Sequence, residues 1–390
     1  VRDAVRGGAV SDQREGGIAW TDQTWNPIRG CSRVSTGCVN CYAEGVAARF
    51  SGPGLPYEGL AFRKLKVHQD GTEWLSSRWT GEVRMVPEHL ADPLRRKRPR
   101  RIFVNSMSDL FHEKLSNEQI DQVFGVMWAC RWLGRGDNVY PGHVFQVLTK
   151  RAARMREYMA APEHELRERW ARAAVNHGGG NDPDGLFESI VFASEPHPRI
   201  WLGVSAENQE TADERIPELL VTPAAVRWVS AEPLLGPVDV RRFLGIARDR
   251  YEAETAAANG GLMGPGPWLD WIVVGGESGR KARQFDVRWA ATIVEQCRAA
   301  GTPVFVKQMG ANVIVPNDGR LAPCAFEDGE ANGWPAARPD GKPYEIEHDI
   351  NGFREEYQGA PVRIRLQDSH GGDMREWPRG LRIREFPRAP

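Results

Sequence analysis

The feature that most narrows what this chain can fold into is a series of short apolar runs, each closing on polar or charged residues. They are RIFVNSMSD from Arg101, HVFQVLTKR from His143, IWLGVSAEN from Ile200, VRWVSAEP from Val226, DWIVVGGES from Asp270 and PVFVKQMG from Pro303. The runs are β-branched and aromatic and not strictly alternating, which is how strands buried on both faces read. Helical stretches separate several of them: SNEQIDQVFGVMWACRW, AARMREYM, TADERIPELL and DVRWAATIVEQCRAAG. Strand, helix, strand repeated this often predicts a parallel sheet made of right-handed units. With one more strand near TWNPI the expected total is about seven, so the expected fold is α/β, a full or partial TIM-like (β/α) barrel with insertions.

A chain of 390 residues accommodates such a domain with excursions. Residues 1–19 are expected to be flexible, 20–310 to form the barrel, and 311–390 to make a small β-rich appendage packed on it. Residues 51–80, rich in Gly, Pro and Trp without clear period, read as an insertion or lid. Segments 157–199 and 241–269 read as further excursions. A short helix is expected to start at the third of three crowded cysteines, over CYAEGVAARF.

Sites in such folds form at the carboxyl ends of strands. Those positions carry Ser106 and Asp109, then Lys150 and Arg151, Ser205 and Glu207, Glu232, Glu277, and Lys307. Charged termini on successive central strands point into one shared mouth; taken singly, each reads equally as a strand-end cap or a salt bridge.

The six cysteines are not spread as a disulfide framework: Cys31, Cys38 and Cys41 crowd together, while Cys130, Cys297 and Cys324 are dispersed. The spacing Cys31-x6-Cys38-x2-Cys41, with Gly37 in the loop, lets two thiolates bind from a turn entering a helix and the third swing alongside. Thiolates suit zinc or iron–sulfur centres. Structural zinc asks for a fourth ligand, and the first histidine after the group is His68. Three local ligands suit a cubane cluster with one open iron; zinc with a distant ligand and unliganded core or redox cysteines are the alternatives.

At TWNPIRGCSRVSTGCVNCYAE the chain resembles the radical S-adenosylmethionine superfamily. More closely, it resembles a phage- and bacteria-associated three-cysteine family. The closer resemblance runs through VNSMSDLFHE, FQVLTKRAARM, WLGVSAENQETADERI, WVSAEPLLGPV, DWIVVGGESG, VFVKQMG and WPRGLRIREFP. The superfamily resemblance implies a 4Fe–4S cluster held by Cys31, Cys38 and Cys41, with S-adenosylmethionine on the open iron and a cellular electron donor. The superfamily's usual spacing is three residues then two, whereas this chain has six then two. On that reading Asp109 or Glu232 holds the cofactor's amine or ribose, and Lys150 or Lys307 its carboxylate or a substrate phosphate. Ser106, Ser205, Glu207 and Glu277 complete the expected cofactor set, and Tyr42 shields the cluster, orients the cofactor, or simply packs its helix. Lys150 with Glu207 or Glu232 reads alternatively as a satisfied structural pair.

The Ser230–Pro233 block is similar to that of radical DNA-lesion repair lyases, which implies modification or repair of DNA, RNA or a nucleotide-derived substrate. A small-metabolite enzyme and a non-catalytic metal-bearing phage accessory protein are the competing classes. Basic residues number 51 and acidic ones 52, so the global charge does not announce a polyanionic partner. Locally, Arg95 to Arg101 holds six positive residues in seven, placed before a strand and hence on the amino face, opposite the expected mouth. Arg379, Arg382 and Arg384, near Trp377 and Phe386, offer a second basic surface or snorkel over apolar residues. No apolar run has the length of a bilayer span and the first residues lack a signal-peptide core, so a cytoplasmic protein without a membrane partner is expected.

Overall fold

The strand-forming runs divide their side chains between two apolar cores. This is seen in a computed structural model that describes residues 17–67, 73–130, 142–178, 182–193, 196–245, 268–315, 339–340, 342, 345–347 and 362–387. Seven runs make one parallel sheet in chain order: β1 (Gln23–Trp25), β2 (Arg101–Val104), β3 (Val144–Thr149), β4 (Ile200–Ser205), β5 (Val226–Ala231), β6 (Trp271–Gly275) and β7 (Val304–Gln308). The sheet curls as a half-barrel with β1 and β7 at its edges, so strand pairing does not close it into the full barrel allowed for above.

Ile102, Val104, Phe145, Val147, Leu202, Val204, Ile272 and Val306 face the outer, helix-covered core. Their neighbours Phe103, Trp201, Trp228, Trp271, Val273 and Phe305 join Trp20 on the other face. The period of two is therefore present, but both faces are apolar and the sequence hides it. Trp20 sits edge-on to Phe103 at 4.8 Å and to Trp228 at 5.1 Å, a plug of aromatic edges and faces.

Helix α1 (Tyr42–Arg49) packs apart from the outer layer, burying Ala43, Ala47 and Ala48 against Ala61 and Met107, while that layer includes α2 (Asn117–Ala129), α3 (Ala152–Met159), α4 (Glu163–Gly178), α5 (Pro183–Val191), α6 (Gln209–Leu220) and α7 (Val287–Ala300). Their starts follow from local chemistry. Ser116 and Gln119 close a capping box on α2, Asn208 and Thr211 do the same on α6, and Asp286 caps α7. No described helix is long and apolar enough to cross a membrane.

Segment 51–80 is not aperiodic: Ala61–Val67 and Glu73–Trp79 pair as an antiparallel hairpin whose base packs on α1. Toward the C-terminus, Val313–Val315 pairs with both Phe285–Asp286 and Val362–Arg365, and the latter with Glu345–Glu347. This small sheet thus grows from a strand that leads directly into α7. Residues 1–16, Cys324 and most of the 241–269 excursion lie outside the described residues.

Gly203 on β4 is the point of closest approach in the inner core, since a Cβ there would stand 2.5 Å from the Trp228 ring. Gly203→Ala is expected to lower stability by about 1–3 kcal/mol through overpacking, measured by urea unfolding. An unchanged midpoint would mean that the inner aromatic layer is loosely packed.

Candidate functional site

The chain leaves β1 through a short strand, Ile28–Arg29, held by Arg84–Met85, and a bridge from Gly30 to Ser108 sets Cys31 beside the end of β2. A 3-10 turn over Thr36–Cys38 follows, and Cys41 is the N-cap of α1. All three cysteines are free and half-buried. Burial first, then the Asp109 carboxylate, pushes the Cys31 thiol up to about 12 against the pull of Arg151, whose Nη1 is 4.0 Å from the sulfur. Burial also raises the Cys41 thiol, while the amides of Glu44 and Ala43 at the start of α1 oppose it. Cys31 feels the charge of both other sulfurs, so the three share one electrostatic neighbourhood. Among the described residues, however, no three His, Cys, Asp or Glu stand at metal-holding spacing. The donor chemistry fits a soft centre: three sulfurs whose loading would release protons.

The cysteine loop is docked on Glu207, which has no exposed surface. Ser35 Oγ donates to Glu207 Oε1 at 2.9 Å, and Gly37 lies so close that a Cβ would stand 2.3 Å from the same oxygen. Lys150 Nζ pairs with Oε1, and Arg215 Nη1, from α6, donates to Oε2 at 3.1 Å. Burial works to raise this carboxyl, but Lys150 and Arg215 overcome it and hold it down at about 2.

A second node lies below Cys31. Asp109 accepts from Thr149 Oγ1 at 2.7 Å, from the Lys150 amide at 3.1 Å and from Arg151 Nη1 at 3.0 Å. Arg151 also donates to Glu113 at 2.8 Å and to Ser32 Oγ at 2.7 Å. Burial pulls the guanidinium pKa down, and Asp109 and Glu113 more than offset it, keeping the group charged. His112 Nε2 completes the node, 3.0 Å from Ser32 Oγ.

The other strand-end groups are also partnered. Glu232 meets Lys307 Nζ at 2.9 Å and accepts from Trp20 Nε1 at 3.2 Å. Glu277 pairs with Arg283 and accepts from Asn40 at 3.0 Å, while Arg283 Nη1 donates to the Thr36 carbonyl at 2.8 Å. Glu277 thus secures the same loop from its far side. Ser106 Oγ donates to Asn26 and its carbonyl accepts from the Tyr42 hydroxyl at 2.9 Å. Ser205 is buried, and its carbonyl accepts from Arg215. A cavity of about 360 Å³ lined by Phe124, Trp128, Leu166 and Trp170 lies instead among the outer helices.

Sequence reasoning missed the cations and amides that answer these acids: Arg215, Arg283 and Asn40, together with Ser32, Ser35 and His112. Arg215 had a signal, because it occupies the buried stripe of α6 with Ala212, Ile216 and Leu219. Of the basic residues at 95–101, Arg95 pairs with Asp92 and Arg101 with Asp22, leaving Arg96, Lys97, Arg98 and Arg100 exposed at the amino end of β2. Arg382 stays exposed while donating to the Trp377 carbonyl, and Arg384 turns inward, donating to the Lys307 carbonyl over the Phe305 and Trp377 rings.

The chain belongs to the DUF5131 family, described as proteins of unknown function, whose family model matches residues 15–335. Comparison with curated proteins and with solved structures finds no match to either.

Because the folded-state pKa of Glu207 is depressed, its stabilisation is fully present above about 4.5 and is lost as pH falls toward about 2. Glu207→Gln is expected to cost about 3 kcal/mol at neutral pH, with the gap to wild type narrowing over that acid window. Urea unfolding at stepped pH reads both quantities, and a gap that stays constant into acid would contradict the assignment.

Proposed function

We propose that this DUF5131 member is a radical S-adenosylmethionine enzyme that holds a 4Fe–4S cluster through Cys31, Cys38 and Cys41 and acts on nucleic acid or a nucleotide-derived substrate. The observation that carries the reading is the gathering of three free, half-buried cysteines, from one loop and one helix start, in one electrostatic neighbourhood near the carboxyl ends of a parallel half-barrel sheet, although they do not stand at metal-holding spacing. When bound, the cluster and S-adenosylmethionine supply one-electron reduction of a sulfonium and hydrogen abstraction, with electrons from a cellular donor.

The chain's own groups have separable tasks in this reading. Arg151 pulls Cys31 toward the thiolate and the first amides of α1 do the same for Cys41, each against the burial that raises both thiols. The Trp20, Trp228 and Trp271 layer keeps water out from below. Asp109 and Glu232 are suited to an ammonium or ribose hydroxyl, and Lys150 and Lys307 to a carboxylate or phosphate; each would exchange its present ion-pair partner for the ligand. Exposed Arg96, Lys97, Arg98 and Arg100 lie at the end of the sheet away from the sulfurs, outside the reach of a substrate held at the mouth.

The self-satisfied pairs Lys150–Glu207 and Lys307–Glu232 favour a second reading, a non-catalytic zinc- or cluster-bearing protein that needs no ligand to neutralise its mouth. Anaerobic reconstitution, reduction and chromatographic assay for 5′-deoxyadenosine separate the two. The enzyme reading expects cofactor cleavage by wild type and its loss in Cys38→Ala with the melting temperature little changed, since Cys38 lies outside the main core. No cleavage by cluster-loaded wild type would reject it.

A further inference from the structure

The hairpin of Ala61–Val67 and Glu73–Trp79 is built onto the cysteine loop through one buried carboxylate. Glu44, on α1, accepts from the Trp79 amide at 2.9 Å, lies 3.9 Å from Arg78, and accepts from Arg33 Nε, within the cysteine loop, at 3.0 Å. At the hairpin base Ala61 is buried and Trp79 half-buried against α1. Beyond it Phe62, Leu65 and Leu75 are 42%, 52% and 57% exposed, and Arg63 and Lys64 are exposed too.

The register sorts these residues by face. Phe62 stands opposite Arg78 and Lys64 opposite Ser76, so alternation gathers Phe62, Lys64, Lys66, Ser76 and Arg78 on one side. Leu65 and Leu75, opposite each other, fall on the reverse with Arg63. None of the hairpin side chains described, at 61–66 and 75–79, is acidic. Between Arg29 and Met85 there are eight Arg and Lys against five Asp and Glu, in a chain whose formal charge is −1. A bilayer would need one continuous apolar face, and the large apolar residues here are split between two. A cationic strip bearing the exposed Phe62 ring instead matches a strand of phosphates with stackable bases.

We propose that the Phe62 face of this hairpin docks a single nucleic-acid strand, with Lys64 and Lys66 on phosphates and Phe62 stacked on a base, beside the sulfur-bearing mouth. The inference rests on the functional reading above in making that strand the substrate, but strand binding itself requires no cluster.

Fluorescence anisotropy of a labelled oligothymidylate against the full-length protein tests it. Lys64→Ala with Lys66→Ala should weaken binding about tenfold at moderate salt and flatten the log–log salt slope by about 1.4. Phe62→Ala should weaken binding with the slope unchanged. Arg98→Ala, on the amino face, should change affinity by no more than about twofold. Wild-type affinity in the hairpin variants, loss concentrated in Arg98→Ala, no binding by wild type, or binding to phosphatidylserine vesicles in place of the oligonucleotide would each overturn the proposal. Far-UV circular dichroism and iron content, both expected to be unchanged, separate these outcomes from misfolding. Failure of cofactor cleavage by wild type would count against the enzyme reading alone.

Discussion

A carboxylate sealed from solvent at the end of β4 is the contact on which the candidate site depends. Glu207 joins three parts of the chain that are distant in sequence: Lys150 after β3, Arg215 on α6 and the Ser35–Gly37 stretch between the cysteines. Burying a charge is unfavourable unless it is paired and hydrogen-bonded, and here two cations and a hydroxyl supply both. Gly37 is required by contact distance, because any Cβ there would occupy the carboxylate's own space. The loop carrying the sulfurs is therefore placed by the sheet. Glu277 and Arg283 repeat the arrangement on the other side, gripping Asn40 and Thr36.

Below this polar layer the fold is set by packing. The concave face is filled by indole and phenyl rings contributed by successive strands, and Trp20 closes it while its N–H reaches up to Glu232. Trp20 thus belongs to both layers: its ring stabilises the inner core, and its one polar atom reports to the mouth. The amino end of β2 is a different environment, with an exposed cationic turn whose first and last arginines pair with Asp92 and Asp22.

How far the sequence announced this depended on how local each signal was. The strands from Arg101 to Gln308 were legible because runs with both faces buried are apolar throughout, although that same property concealed which residue faces which core. The hairpin at 61–79 was not, since its exposed lysines and leucines give neither a clean alternation nor an apolar run, and a Gly- and Pro-rich lead precedes it. At the site, Asp109, Glu207, Glu232 and Glu277 could be picked out by position after a strand. Their partners Arg215, Arg283 and Asn40 come from helix and loop positions set by tertiary packing, which no local pattern encodes. The crowding of Cys31, Cys38 and Cys41 could be read directly from spacing, whereas what they bind depends on a ligand shell that spacing does not determine.

The account turns on what those three sulfurs hold. Mössbauer spectroscopy of anaerobically purified protein grown on iron-57 examines that most directly. The account predicts a four-iron cubane signature, with one iron site shifted when S-adenosylmethionine is added, because three cysteines leave one iron without a protein ligand. Stoichiometric zinc with no cluster iron, or a cubane whose spectrum ignores S-adenosylmethionine, would contradict it.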